Sequence, residues 1–348
     1  MKKIFFLLLL SLSMMLVGCG SSETSDDAES AAEQSGREGD SKDVGGESIE
    51  FGFGHAMAPD HPEHLAAIRM GEILDEETDG RIKVNVYPSA QLGGSRELMT
   101  GVQNGSVEMV ATSTFGTVDQ QQLVVNLPYL FEDFDHINRF VNSDISKDLL
   151  ARLQDHNVYG LGFWTVGFRN IGNRHQPLET PADLDGLLIR AFEDEMLKDT
   201  LEALGADVTV MPITEVYTAL QTGAIDGEEN PYVITATQKF QEGYDYKTET
   251  RHLNNFEIVA ANLDWWNGLA EEDQEVILTA YSQATEYYNQ LQQEADETYK
   301  QELIDEGLQI NEIEDYQPWI DAVQPVYEKW EGTFGPDLIN SIRELGWE

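Results

Sequence analysis

The chain has 348 residues, 41% of them hydrophobic, which is enough for two domains with sizeable cores and incompatible with global disorder. Acidic residues number 64 against 21 Lys plus Arg, a formal net charge of −43. That balance excludes nucleic-acid binding and polybasic adhesion to anionic lipid, because no basic surplus exists to displace counterions. A single cysteine excludes an intramolecular disulfide framework and any multi-cysteine metal site.

Lys2 and Lys3 precede an almost wholly apolar run from Ile4 to Val17. The run is short for a membrane span and suits the apolar core of a secretory leader, so residues 1–18 are expected to be a signal peptide. Leu16-Val17-Gly18-Cys19 resembles the bacterial lipoprotein box, which makes Cys19 the expected lipid-bearing first residue of an extracytoplasmic, membrane-anchored protein. Residues 19–47 are rich in Ser, Gly, Glu and Asp and poor in large apolar side chains. They cannot bury enough surface to offset ordering, and are expected to be a flexible acidic tether. The acid excess of the whole chain suits a halophilic surface, since molar salt shortens the Debye length to about 3 Å and screens self-repulsion.

From Ser48 the pattern alternates between strand and helix. Strands are expected at 48–54 and 81–87, where apolar residues alternate, and at 107–111, 158–164, 187–191, 207–211 and 224–228. Helices are expected at 63–78, with Leu65, Ile68, Ile73 and Leu74 on one side, and at 96–104, 135–154, 195–204 and 214–222. Glu271 to about Glu306 carries helical spacing for longer than an ordinary globular helix, as an element crossing more than one domain would. The alternation predicts an α/β fold with mostly parallel sheets flanked by helices.

The chain carries no G-x-S-x-G, H-E-x-x-H or G-x-x-x-x-G-K-[ST] motif, and Gly52 and Gly54 supply only a bare G-x-G. Adjacent acids such as Glu228-Glu229 are uninformative in so acidic a chain. His55, His61 and His64 cluster, and the last two stand one helical turn apart; a metal pair and simple cap or loop histidines are the competing accounts. The scarce arginines say more. Arg169 follows one expected strand and Arg190 ends another, where ligands of open α/β sheets bind. Two guanidinium groups there could converge on one carboxylate; pairing with surface acids is the bland alternative.

Several ordered motifs resemble one family. Tyr217-Thr218-Ala219-Leu220-Gln221-Thr222-Gly223 followed by Ala224-Ile225-Asp226-Gly227-Glu228-Glu229-Asn230-Pro231 is similar to the Y-x-A-L-Q-x-G-x-x-D-G-Q-E-N-P of DctP-type solute receptors of TRAP transporters. Gly80-Arg81-Ile82-Lys83-Val84, Tyr87-Pro88-Ser89-Ala90-Gln91-Leu92-Gly93, Leu127-Pro128-Tyr129-Leu130-Phe131, Gly167-Phe168-Arg169 with Asn173 and Pro177, and Leu184-Asp185-Gly186 with Ile189-Arg190 match further family motifs in order.

The resemblance implies a two-lobed, periplasmic-binding-protein-like fold: residues 48–166 and 256–295 in domain I, 167–255 and 296–348 in domain II, with the long helix bridging both. It implies a receptor, not an enzyme, that needs no metal or cofactor, closes on a small organic acid such as a uronate-type sugar acid or C4-dicarboxylate, and delivers it to TRAP permease membrane subunits. By position, Arg190 would clamp the carboxylate, Arg169 would reinforce it, and Asn230 would hydrogen-bond the ligand. His55, Ser113, Thr114 and Phe115 would line the cleft, Glu193 could accept from a ligand hydroxyl, and Trp164 and Tyr217 are candidate walls. Glu228 departs from the family's glutamine. It is either drift on a solvated edge or, facing the cleft, a group disfavouring dianions. An ABC-type or sensory receptor, and a secreted hydrolase, are the alternative functions.

Overall fold

A computed structural model describes residues 47–347. The expected leader at 1–18, Cys19 and nearly all of the tether lie outside the described residues. Among the described residues no helix is long and apolar enough to cross a membrane.

The chain first runs β1 (Ile49–Gly54), α1 (Pro62–Glu77), β2 (Ile82–Tyr87), α2 (Ser95–Asn104), β3 (Met109–Thr112), α3 (Phe134–Val141), α4 (Asp144–Arg152) and β4 (Val158–Phe168). It continues through β5 (Asn170–Asn173), β6 (Leu188–Ala191), α5 (Glu195–Ala203), β7 (Asp207–Val210), α6 (Ile213–Thr222), β8 (Gly227–Asn230), α7 (Tyr232–Thr237) and β9 (Tyr246–Glu249). The last stretch is β10 (Asn254–Asn262), α8 (Leu263–Gly268), α9 (Glu271–Asp305), β11 (Gln309–Glu312), α10 (Gln317–Ala322), α11 (Gln324–Phe334) and α12 (Pro336–Glu344).

Two mixed sheets result, ordered β2-β1-β3-β10-β4 and β11-β9-β5-β8-β6-β7. β1, β2 and β3 run parallel, as do β6, β7 and β8, while β10 is antiparallel to both its neighbours and β5 to both of its own. The chain passes from the first sheet to the second between β4 and β5 and returns between β9 and β10. These two crossings touch, since Arg169 N–H donates to Leu253 C=O at 2.9 Å. At the first of them Gly167 has φ +110°, a conformation that favours glycine, and it faces Asn255 beside a register shift of the β4–β10 ladder.

α9 is the third link between the lobes. Its Ile277, Ala280, Tyr281, Ala284 and Tyr288 pack into the core of the first sheet with Phe53, Met109 and Trp164. Its Ala295 and Leu303 pack with Val216, Leu220 and Tyr232 of the second lobe. A helix of ordinary length could not reach both cores.

Several local expectations are corrected. The helix expected at 135–154 is two helices, because Ser143 leaves the helical conformation and its Oγ accepts Ser146 N–H as the cap of α4. In α1 the buried face is Ala66, Ala67, Met70, Ile73 and Leu74, while Leu65 and Ile68 are exposed. Small alanines let α9 approach on that side. The strands expected at 107–111 and 224–228 begin later, at Met109 and Gly227, and the one at 158–164 runs on to Phe168. β5, β9, β10 and β11 were not foreseen.

Candidate functional site

A small cavity of about 70 Å³ lies between the lobes, where β3, β6 and β8 end. Carboxyl ends of parallel strands are where open α/β sheets hold ligands. The first lobe contributes Met57, Ser95, Arg96, Glu97, Ser113 and Thr114; the crossings contribute Arg169, Asn255 and Glu257; the second lobe contributes Arg190, Phe192, Glu193, Ile213, Asn230 and Ile234. The size suits a small molecule and excludes a polymer.

Both foreseen arginines are buried in the wall, at 2% exposure for Arg169 and 1% for Arg190. Their situations differ. Arg169 spends its fork on the protein: Nε and Nη2 donate to the two oxygens of Glu229, Nη2 also donates to Asn230 Oδ1 at 2.9 Å, and Nη1 donates to Asn255 Oδ1. Burial alone would push the Glu229 carboxyl up. The Arg169 guanidinium outweighs burial, with help from His252 3.2 Å away, and holds Glu229 down at about 2. Arg190 donates through Nε and Nη2 to Met211 C=O at 2.9 and 2.7 Å, and its Nη1 has no partner among the described residues. Burial lowers Arg190 to about 10, against the pull of Glu229, so it stays charged at neutral pH. Phe192 lies under Arg169, 4.8 Å from guanidinium carbon to ring centre.

Glu228 neither faces the cavity nor sits on a solvated edge. It is fully buried, with Oε1 accepting from Tyr244 Oη and from Lys247 Nζ at 3.1 Å, and Oε2 accepting from Asn230 Nδ2. Lys247, itself buried, supplies the cation that makes a glutamate workable there. Burial lowers the Lys247 pKa, and Glu228 opposes that shift. Asn230 is thereby oriented from both sides, by Arg169 on its oxygen and Glu228 on its nitrogen.

The opposite side is a cluster of groups with few partners. Glu63 in α1 faces Glu257 in β10, and both are buried. Two buried carboxyl groups in contact cannot both ionise. Burial is the main cause that raises Glu63 well above the ordinary carboxylate range, with the Glu257 charge adding to it; burial raises Glu257 to about 7. A proton between the two carboxyls is what partners them, since no other side chain among the described residues donates to Glu257. His55 Nδ1 lies 3.3 Å from Glu63 Oε1, and His55 Nε2 lies 3.1 Å from His64 Nδ1. Burial, and then its histidine neighbours, lowers His55 to about 3, so His55 and Glu63 meet as neutral groups and not as an ion pair. His61 Nδ1 accepts Glu63 N–H and caps α1.

Six of the ten foreseen binding residues line the cavity: Arg169, Arg190, Glu193, Asn230, Ser113 and Thr114. Four do not. His55 stands behind Glu63. Phe115 packs edge-on to Phe163 in the core. Trp164 is core, stacked on Tyr288 with 4.8 Å between ring centres and donating to Thr285 Oγ1. Tyr217 is exposed on α6, where its hydroxyl donates to Glu242. Glu193 is engaged across the cleft, accepting from Arg96 Nε at 2.7 Å. Sequence reasoning missed Arg96, Phe192, Asn255 and Glu257; only Arg96, one of few cations, carried a signal.

The chain matches the family model of bacterial extracellular solute-binding protein, family 7 (DctP), over residues 53–333. It is 33% identical over 303 residues to the C4-dicarboxylate-binding periplasmic protein DctP of Rhodobacter capsulatus, covering 85% of this chain and 91% of that one. Among solved structures it is similar to a TRAP periplasmic solute binding protein from Polaromonas sp. JS666 bound to D-erythronate, with 28% identity, TM-score 0.82, and 85% and 98% of the two chains covered. It is also similar to one from Shewanella oneidensis with bound succinate, with 30% identity, TM-score 0.83, and 86% and 99% covered.

Proposed function

The chain belongs to the DctP family of extracellular solute-binding proteins, the solute receptors of TRAP transporters, and from that premise we propose that it captures a small organic acid by its carboxylate on Arg190. The family is one of receptors, not enzymes. Relatives bind C4-dicarboxylates and sugar acids. The observation that carries the reading is the difference between the two arginines. Arg169 is filled by Glu229, whereas Arg190 is anchored through two nitrogens and keeps Nη1 for a ligand in the cavity it lines.

Mechanism follows from the geometry. Glu229, Asn230 and Asn255 fix Arg169, and the Met211 carbonyl fixes Arg190, so no side-chain ordering remains to be done when the ligand arrives. Closure of the lobes about the two crossings and α9 excludes water. Excluding water strengthens the charged hydrogen bond from guanidinium to carboxylate. Binding energy released only in the closed form shifts the equilibrium toward it. Arg169 reinforces the potential without surrendering Glu229. The closed, loaded receptor then delivers its ligand to the permease subunits. Cys19 carries the lipid that keeps the protein at the membrane, with the acidic tether as a spacer and the acidic surface suited to high salt.

Titration calorimetry against a panel of organic acids tests the clamp. Arg190→Ala is expected to cost about 2–3 kcal/mol of binding, the loss of a charged hydrogen-bond pair, while circular dichroism shows the fold retained. Unchanged affinity in a folded variant overturns the reading.

A further inference from the structure

We propose that Glu257 determines specificity in the cleft, accepting a hydrogen bond from a ligand hydroxyl and rejecting a second carboxylate, so that the ligand is a hydroxylated monocarboxylic acid. This rests on the reading that the cleft takes an acid on Arg190.

Three guanidinium groups line the cavity: Arg96, Arg169 and Arg190. Glu229 occupies Arg169 with both oxygens, and Glu193 occupies Arg96. Of the three, Arg190 is the one without a carboxylate partner among the described residues. Glu257 lines the same cavity, 1% exposed, and among the described residues its carboxyl meets no hydrogen-bonding side chain other than Glu63. A buried acceptor without a donor is costly, and the cost is recovered when a ligand brings the donor. A hydroxyl does this. A carboxylate cannot: it is acceptor-only, and a like charge beside Glu257 adds to the acids of the lining, where Arg169 and Arg96 each already face a carboxylate. Glu97 adds a further acid to the same lining.

Glu63 gives Glu257 this character. The two carboxyls share a proton, which makes their burial tolerable and leaves the pair with a single negative charge. Glu63 is backed by His55 at 3.3 Å, and His55 by the partly exposed His64 at 3.1 Å. The cluster has no nearby cation of its own among the described residues apart from the already paired Arg169, whose charge lowers the Glu257 pKa. Beyond that shared proton, no other side chain among the described residues donates to Glu257.

D-Erythronate and succinate make the test. They have the same carbon-chain length, but one bears hydroxyls and a single carboxylate and the other two carboxylates and no hydroxyl. In calorimetry on the purified protein, D-erythronate is expected to bind at least about tenfold more tightly than succinate. Glu257→Gln, which removes the charge and adds an N–H donor for a second carboxylate, should reduce or reverse that ratio, and Glu257→Asp, which keeps the charge, should retain the preference. Should Glu257→Gln fail to fold, a crystal structure of the native protein with D-erythronate replaces it, and is expected to show a ligand hydroxyl within hydrogen-bond distance of Glu257. Succinate binding as tightly as D-erythronate, an unchanged ratio in folded Glu257→Gln, or a hydroxyl directed elsewhere overturns the assignment while leaving the Arg190 clamp intact. Failure of every acid to bind overturns both.

Discussion

Two buried polar clusters flank the cleft, and they are built on opposite principles. On the side of the second lobe, Arg169, Glu228, Glu229, Asn230, Lys247 and His252 form a closed set in which cations meet anions. On the side of the first lobe, His55, His61, Glu63 and Glu257 are kept neutral or share a proton, and they meet one another with no cation paired to them among the described residues. Both are buried to a similar degree, so burial alone does not decide what a polar group does. The paired cluster is satisfied by the protein and positions the binding arginine. The other cluster is held by neutral groups and a shared proton, with no cation of its own among the described residues to pair its carboxyls.

The sharpest way to break this contrast is to remove one member of each. Glu229→Ala leaves the Arg169 guanidinium buried without its carboxylate, and should cost about 3–5 kcal/mol of stability. Glu63→Gln removes a carboxyl that is already protonated, and should change stability by less than about 1 kcal/mol. Urea unfolding of the two variants reads the difference directly. Equal losses would mean that the clusters are not of different kinds.

A pH series sharpens the same contrast by sign. His55 and His61 titrate near 3 in the folded protein, chiefly because of burial, against about 6.5 when unfolded. The unfolded chain therefore binds more protons, and stability is lost as pH falls from about 6.5 toward 3. Glu229, held near 2 against 4.5, adds to that loss once pH drops below about 4.5. Glu257, raised to about 7 by burial, and Glu63, also raised by burial, act oppositely: what they contribute is complete below about 4.5 and is lost as pH rises toward 7 and beyond. The two slopes oppose each other between 4.5 and 6.5. Denaturant midpoints at constant ionic strength should fall steeply below about pH 4.5, change little up to about 6.5, and decline again above it. A steady rise in stability from pH 4.5 to 8 would show that the carboxyl pair shares no proton.

The same division separates what was legible in the sequence from what was not. β1 and β2 alternate because one face of each is covered more than the other, and they were read within a residue. β10 was invisible because all nine of its residues are buried, so Asn254–Asn262 shows no period. With it went Asn255 and Glu257. The arginine wall was readable because cations are scarce in this chain and stand at strand ends. The carboxyl wall was not, since acids are everywhere and Glu63 meets Glu257 only through the packing of α1 against the first sheet. Aromatic residues misled for the converse reason: Trp164 and Phe115 fit a core as well as a cleft, and only packing separates the two. Glu228 looked like a deviation at a solvated edge or a cleft, because its partner Lys247 arrives from β9, a strand too short to show a pattern.

The smallest effect concerns an ion pair that joins the two walls. Arg96 stands at the start of α2 in the first lobe and Glu193 just beyond β6 in the second, and their contact at 2.7 Å spans the mouth of the cavity. Its side chains are 55% and 29% exposed, so water screens it and its contribution to stability is at most about 1 kcal/mol. A latch this weak suits a cleft that must reopen. Arg96→Ala should leave the unfolding midpoint nearly unchanged and accelerate ligand release several-fold, because the closed form loses a contact that the open form does not make. Stopped-flow displacement at low and high salt separates the two effects: molar salt should speed release from the native protein toward the variant's rate and leave the variant little altered. An equal salt response in both proteins would show that the pair holds nothing shut, and that closure rests on the buried arginine wall alone.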